Sequence, residues 1–341
     1  MRNGSRATIV DVAALAGVHA GTVSRALSRP DKVAPATRER VEAAVEQLGF
    51  VPSRAARGLI TGRTGYVGVI VPDITNPYFA VLVRAIEHAA SDADFQVLLV
   101  DTGEQREREV RAARDLAGEV DGFIVLSPRR LHREVEAIGD TRAVFVNRQV
   151  PGRASVLLRS AAAAGEALRT LAAAGHTKVT YLRGPQGSWA AIERRDAVRR
   201  TSRAIGVEIV EIAMNDPTFE GGVASVDQTV GNGSTAVIAF NDQMALGVLA
   251  GLTQRGIRVP DDMSIVGCDD VPMAAMVAPP LTTIRMPTDE AGATAVELLD
   301  DSTAKVELFG SLVVRASTGP VSGRAPRRRV RPDDASRRRR G

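Results

Sequence analysis

The stretch VDVAALAGVHAGTVSRALS (residues 10–28) holds two short apolar-periodic pieces on either side of Gly17, Val18 and His19. Neither piece is long enough to stand as a lone helix in water. Ile9, Val12, Ala13 and Ala16 fall on one helical face, and Gly17 follows where a helix-ending residue with positive φ is needed. Val18 is the apolar residue of the turn, and Val23 and Leu27, four apart, form the inner face of a second helix. Ala13 is small where two helices must approach; Gly17 comes four residues after it and Val23 six after that. This spacing predicts a helix-turn-helix, whose second helix would lie in a DNA major groove. On pattern alone, an ordinary helical hairpin is the alternative.

The residues that follow extend the pattern. PATRERVEAAVEQLGF (residues 35–50) reads as a third helix, with Pro35 in its first turn, Val41, Ala44, Val45 and Leu48 as its apolar face, and Gly49 at its end. Charge sets the region apart. Residues 1–63 hold ten Arg or Lys against five Asp or Glu, and residues 324–341 hold nine Arg against two Asp. With a net charge of +4 over 341 residues, residues 64–323 must carry −8. A basic head joined to an acidic body is the layout expected when only the head meets a polyanion.

Apolar residues make up 44% of the chain and charged residues 25%, the balance of a globular protein with a sizeable core. Aromatics are 4%, which leaves that core to Val, Leu, Ile and Ala. One cysteine, Cys268, excludes an internal disulfide framework and a cysteine zinc site, and suits a reducing compartment. The first residues show no apolar run of signal-peptide length, and no long apolar stretch offers a membrane span. A cytoplasmic protein is expected.

Four segments follow. Residues 1–50 read as all-helical. Residues 51–65, VPSRAARGLITGRTG, are short, basic and flanked by Pro and Gly, the pattern of a linker. Residues 66–318 alternate apolar strands (YVGVIVPD, FQVLLVDT, DGFIVLSP, AVFVNR, KVTYLRG, VEIVEIAM, STAVIAF, MSIVGCDD, LTTIRMP) with helical stretches such as AVLVRAIEHAASD and AAAAGEALRTLAAAG. Near-continuous apolar strands separated by helices predict buried parallel sheets covered on both faces, and this length suits two sheets better than one. Residues 319–341 include GRAPRRRVRPDDASRRRRG, which lacks apolar periodicity and reads as a disordered Arg-rich tail.

Taken in order, T-I-x-D-V-A-x-x-A-G-V, T-V-S-R-x-L, T-R-x-R-V, L-G-F-x-P and R-A-A-R-x-L resemble the head and hinge of the lactose-repressor family of bacterial regulators. PDITNPYFA, FNDQMALGVL, and SIVGCDD followed by PPLTTIRMP resemble that family's effector domain, so the resemblance spans about residues 8–318. It implies an N-terminal all-α helix-turn-helix head and an α/β periplasmic-binding-protein-like body of two doubly wound parallel-sheet subdomains. It also implies a homodimeric, ligand-responsive repressor of carbohydrate-related genes, associated with the nucleoid and bound to a near-palindromic operator. The effector would be a sugar or sugar derivative, with no cofactor, metal or membrane involved.

The resemblance places base-edge contacts at Ala20, Gly21 and Arg25. Arg25 can donate two hydrogen bonds to guanine O6 and N7; Ala20 can touch a thymine methyl; Gly21 has no side chain to offer, so direct readout would be sparse. Ser24 belongs to the same DNA-facing set. His19 stands where a small hydroxyl cap is usual. Thr8, Thr22 and Lys32 are candidates for phosphate contacts, which position without specifying. In the hinge, Leu59 matches the leucine that wedges into the minor groove, Ala56 the small residue that lets paired hinge helices approach, and Arg54 and Arg57 add phosphate attraction. Gly58 departs from the pattern and raises the entropy lost on ordering that helix.

For the body, the resemblance places Asp73, Asn76, Phe79, Asn147, Arg194, Asn241 and Asp269 around an effector held between the subdomains at the carboxyl ends of their strands. Amides and carboxylates bond vicinal hydroxyls, and an aromatic face packs on sugar C–H groups. Three departures stand out: Pro217, with Phe219 two residues on, replaces a usual aromatic; Arg159 and Ser160 replace an acidic-amide pair; Cys268 replaces an aromatic. Arg159, if it faces the cleft, would favour an acidic or phosphorylated ligand.

Other classes fit less well. A transport-type solute-binding protein shares the body fold but has no use for the helical head. An enzyme on a doubly wound sheet finds no G-x-G-x-x-G after the first strand, no G-x-x-x-x-G-K, no G-x-S-x-G, and no metal spacing among His19, His88, His132 and His176. His176, after a helical stretch, is expected to cap its end.

Overall fold

In a computed structural model the described residues are 7–50, 63–129, 132–213, 217–301 and 303–321. The chain divides into two compact units, Met1–Gly65 with Glu119–Asp121, and Tyr66–Gly118 with Gly122–Gly341.

In the first unit, α1 (Ile9–Ala16) opens with a reciprocal capping box. The Thr8 hydroxyl accepts the Asp11 N–H at 3.4 Å, and the Asp11 carboxylate accepts the Thr8 N–H at 2.8 Å. Gly17, at φ 64°, ends the helix, and Val18 N–H donates to the Ala13 carbonyl at 3.0 Å. The second helix, α2 (Ala20–Ser28), leads to α3 (Pro35–Leu48), which stops at Gly49 with φ 56°. Val12, Val23 and Val41 are fully buried, with Ala13, Ala16, Ala26 and Ala44 closing around them. Each such valine contributes about 1.5–3 kcal/mol on burial, which stabilises helices too short to persist alone. Ala26 takes the innermost place beside Val23; Leu27, expected there, is half-buried at the edge of the cluster.

The second unit is two-lobed. The first lobe contains β1 (Tyr66–Val71), α4 (Pro77–Asp92), β2 (Gln96–Asp101), α5 (Arg106–Leu116), β3 (Gly122–Leu126), α6 (His132–Ile138), β4 (Arg142–Val146) and β5 (Ala154–Arg159). The chain then enters the second lobe through α7 (Ala161–Ala173), β6 (Lys178–Arg183), α8 (Trp189–Ile205), β7 (Glu208–Ala213), α9 (Phe219–Ala224), α10 (Val226–Gly231) and β8 (Ala236–Ile238). It continues there with α11 (Asp242–Gln254), β9 (Ser264–Val266), α12 (Pro272–Met276) and β10 (Thr283–Arg285). It returns to the first lobe for α13 (Thr288–Glu297) and β11 (Lys305–Phe309), and crosses again into β12 (Ser311–Val313).

The first-lobe sheet runs β11-β5-β4-β3-β1-β2 and the second β7-β6-β8-β9. Every pair in both is parallel, and β10 pairs antiparallel with β12. Two parallel sheets bear out the expectation from the apolar strands, whose central members are buried throughout: β3 shows no exposed residue, nor do the last five residues of β1. The strands β5, β11 and β12 were not foreseen.

Two glycines fix the second lobe's helix packing. A Cβ at Gly247 would lie 2.0 Å from the Phe219 carbonyl oxygen, and one at Gly222 would lie 2.1 Å from that of Met244. Helices α9 and α11 therefore touch backbone to backbone. His176 does not cap a helix: its buried ring bonds Thr235 Oγ1 at 2.7 Å, Ser264 Oγ at 3.0 Å and the Gly319 carbonyl at 3.1 Å. Burial lowers its pKa, which keeps the neutral ring these bonds need. Among the described residues, no helix is long and apolar enough to cross a membrane.

Candidate functional site

The two large sheets aim the carboxyl ends of their strands at one cleft. From the first lobe come Pro72, Asn76, Tyr78 and Phe79 after β1, Glu104 after β2, Ser127 and Arg129 after β3, Asn147 after β4, and Leu158 on β5. From the second come Pro185 and Ser188 after β6, Ala190 and Arg194 on α8, Pro217 after β7, Phe240 and Asn241 after β8, and Asp269 after β9, with Met286 from the segment that crosses back. This chamber measures about 80 Å³. It adjoins a second of about 530 Å³ over the exits of β1, β2 and β3, and the two share Pro72, Glu104, Ser127 and Arg129. An ion pair between Arg129 and Glu104 sits at their junction.

Backbone strain collects here. Ser127, Asn147 and Asp269 have φ of 47°, 58° and 120°, all outside the usual range for residues with a side chain. Asn147 shows what holds such a residue: its Nδ2 donates to Tyr78 Oη at 3.1 Å and Ser127 Oγ at 3.2 Å, and its Oδ1 accepts Leu158 N–H at 3.2 Å. Asn76 caps α4 by accepting Tyr78 N–H at 3.1 Å. Asn241 caps α11 by accepting Met244 N–H at 2.9 Å, and donates to the Pro217 carbonyl at 2.8 Å.

Arg194 is 5% exposed. Its Nε donates to Ser160 Oγ at 3.0 Å, its Nη1 donates to the Phe240 carbonyl, and the guanidinium lies 4.8 Å from the centre of the Phe240 ring. Burial pushes the Asp269 carboxyl well above the usual range, with the Asp242 charge adding to it and Arg194 opposing. Burial also raises the Tyr78 phenol, which stays protonated. The result is a chamber with aromatic faces from Phe79, Tyr78 and Phe240, the Arg194 guanidinium and the Asp269 carboxyl from the second lobe, and the Arg129–Glu104 ion pair from the first. Such a lining can pack C–H faces and bond hydroxyl groups.

Six of the seven residues expected around the effector thus border one cleft: Asn76, Phe79, Asn147, Arg194, Asn241 and Asp269. Asp73 does not border it; its carboxylate accepts Thr75 N–H at 2.9 Å and Thr75 O–H at 2.6 Å in the turn before α4. Arg159 does not face the cleft either. It pairs with Glu193 and Glu307, which removes the reason to expect an acidic ligand. Pro217 lines the chamber, while Phe219 is exposed at the start of α9 and Phe240 supplies the aromatic face. Sequence reasoning passed over Tyr78 and Phe240, although each lies next to a residue it selected. Among the described residues, no cluster of His, Cys, Asp or Glu could hold a metal ion.

In the head, His19, Gly21, Arg25 and Lys32 are exposed, Thr22 and Ser24 are half-buried, and Ala20 packs partly against the core. His19 precedes α2 without giving a side-chain cap. Thr8, besides its backbone bonds, donates its hydroxyl to Asp11 at 2.7 Å. Arg54, Ala56, Arg57 and Leu59 lie outside the described residues.

A three-helix head with a helix-turn-helix, and a two-lobed body that closes on a small-molecule cleft, are the parts of a ligand-sensing DNA-binding regulator. The comparisons give the family. Residues 8–53 match the lacI family of bacterial regulatory proteins, and residues 168–321 match the periplasmic binding protein-like domain. Catabolite control protein A of Priestia megaterium is 32% identical over 321 residues, 90% of this chain and 95% of that protein. The transcriptional repressor CytR of Escherichia coli K12 is 34% identical over 308 residues, 86% of this chain and 89% of that one. The lac repressor dimer bound to operator and the anti-inducer ONPF superposes with a TM-score of 0.84 at 28% identity, covering 92% of this chain and 100% of that structure. The complex of the regulator CelR with cellobiose gives 0.69 at 31% identity, with the same coverage. The chain belongs to the lacI family of bacterial regulatory proteins, and its relatives are regulators, not enzymes.

Proposed function

We propose that this protein is a homodimeric repressor of carbohydrate-related genes, which binds a near-palindromic operator and changes its grip when a sugar or sugar derivative occupies the cleft. The observation that carries the reading is the cleft lined from both lobes: a ligand touching Asn76 and Phe79 on one side and Arg194, Asn241 and Asp269 on the other can only be fully bound when the lobes close. The aromatic faces, the self-paired Arg129 and Glu104, and an Asp269 carboxyl raised by burial favour a neutral polyhydroxyl ligand. Cellobiose is bound by CelR and lactose by a further relative from Arthrobacter, which makes both suitable probes.

In this reading residues 1–50 are the DNA-binding head, 51–65 the hinge, 66–318 the effector and dimerisation domain, and 319–341 an added basic tail. Arg25 reads a guanine from the exposed face of α2; Ala20, Gly21 and Ser24 face the groove; Thr8, His19, Thr22 and Lys32 meet phosphates; and Leu59 with Ala56, Arg54 and Arg57 enters the minor groove. The protein acts in the cytoplasm, on the nucleoid. Footprinting of the full chain on its own upstream DNA tests this, at two salt concentrations, with and without cellobiose, lactose and ribose. A protected palindrome released or tightened by one sugar supports the reading; no protection at low salt refutes it.

A further inference from the structure

The two lobes are joined by three strands of chain that run side by side. Gly310 N–H donates to the Arg159 carbonyl at 2.9 Å. A Cβ at Gly310 would lie 2.7 Å from Met286 Sδ and 3.0 Å from the Arg285 carbonyl, so the crossing segments are packed without room for a side chain. Arg159 is the last residue of β5, at the first crossing. Its Nη1 lies 2.9 Å from Glu193 Oε1 on α8, in the second lobe. Its Nε lies 3.3 Å from Glu307 Oε2 on β11, in the first. Its guanidinium carbon is 5.3 Å from the centre of the Trp189 ring, also on α8. One side chain therefore holds a carboxylate of each lobe and covers an aromatic face.

The next residue on each side connects to the cleft. Ser160, after Arg159, accepts Arg194 Nε at 3.0 Å, and Arg194, after Glu193, lines the chamber. We infer that Arg159 is a latch across the inter-lobe crossover, a positioning residue that ties α8, and with it Arg194, to the first lobe and so sets the balance between open and closed forms of the cleft. Glu193 is 15% exposed, so screening of its pair is incomplete. Burial pushes its carboxyl up and Arg159 draws it back. Glu307 is fixed from its own strand by Lys305 Nζ at 2.7 Å, which gives the latch a firm anchor. The link to signalling rests on the cleft being the effector site; the latch itself needs no ligand.

Trp189 is the chain's only tryptophan, so its fluorescence reports this place alone. The test is acrylamide quenching of Trp189 in the full chain at low and at about 1 M salt, with thermal unfolding followed by circular dichroism as the folding control. Glu307→Gln, which leaves the second lobe untouched, should raise the quenching constant about two-fold at low salt, the scale set by a partly exposed ion pair, and remove its rise with salt. Arg159→Gln should do the same, and the double variant should add nothing beyond either single one. Glu208→Gln, which breaks the Lys178–Glu208 pair inside the second lobe, should leave quenching unchanged. Wild-type quenching in Glu307→Gln at both salt concentrations, or additive effects in the double variant, would overturn the latch. The measurement contains no sugar and no DNA, so failure of the repressor reading would not affect it.

Discussion

Asp242→Asn should stabilise this protein at neutral pH, and by an amount that depends on pH in a fixed way. Asp242 is the first residue of α11 and is fully buried. Its Oδ1 accepts the Thr283 hydroxyl at 2.6 Å and its Oδ2 accepts Val271 N–H at 2.9 Å. Burial nevertheless pushes its carboxyl up from 3.8 to about 6. Below pH 4 both folded and unfolded chains hold the proton and the group contributes nothing. Between 4 and 6 the folded chain keeps a proton that the unfolded chain has released, so stability falls as pH rises. Above about 6 the full penalty is present. Two pKa units correspond to about 3 kcal/mol, an upper bound because the N-terminus of α11 favours the anion by about 0.5–1 kcal/mol. Asparagine can satisfy both partners, accepting Val271 N–H through its oxygen and donating to Thr283 through its nitrogen. Urea unfolding of both proteins at pH 5 and pH 8 gives the difference; the titration of Asp269 is common to both and subtracts, apart from a repulsion the substitution also relieves. The expected gain at pH 8 is about 1–3 kcal/mol, and at pH 5 about half of that. Equal gains at the two pH values, or a loss at pH 8, would refute the assignment of a buried, ionised Asp242.

The cleft, the helix packing and the basic tail each give a further test. Arg194→Met removes two charge-assisted hydrogen bonds and the Phe240 contact. It should weaken the effective sugar about 10- to 100-fold in operator-release titrations, the range for bonds to a charged group, while operator affinity without sugar stays within a few-fold. Gly247→Ala drives a methyl into the Phe219 carbonyl, which should cost about 3 kcal/mol and appear as a lower thermal midpoint of the second lobe. Deleting residues 324–341 removes nine arginines and two aspartates. The log–log salt slope of DNA binding should flatten by up to about 6 per chain, at about 0.9 per phosphate, and the preferred operator should not change.

The head was legible because its information is local. Period and a helix-ending glycine lie within a few residues of one another, and the structure puts Gly17 and Gly49 in the left-handed conformation the pattern asked for; the capping box at Thr8, read from the sequence only as a phosphate contact, came from the structure. The two parallel sheets were legible for the same reason, strand by strand. What was missed depended on distance along the chain. The strand β5, ASVLLR, carries an apolar run that could have been read, but β11, KVELF, is short and half-exposed, and only pairing with β5 some 150 residues earlier makes it part of the first sheet. That return creates the second and third crossings, and with them the crossover.

The same distinction separates the residues that were placed well from Arg159. Strand exits are local features, so the asparagines, Phe79 and Asp269 selected from them gather at one cleft, joined by Arg194 from α8, while Asp73 stays in its own turn. Their hydrogen bonds are not local. Asn147 and Asn241 use both ends of their amides on partners such as Tyr78 and Pro217: Asn147 holds its own left-handed backbone and Asn241 caps α11. Arg159 is the extreme case, since its partners lie 34 and 148 residues further on. Residue type alone suggested a cation aimed at an anionic ligand. Two carboxylates within 3.3 Å change the meaning of that charge: neutralised within the protein, it has little attraction left for a ligand and a direct mechanical tie to both lobes. On the latch proposed above, a ligand need supply only the differential affinity for one of two lobe arrangements that shifts their equilibrium.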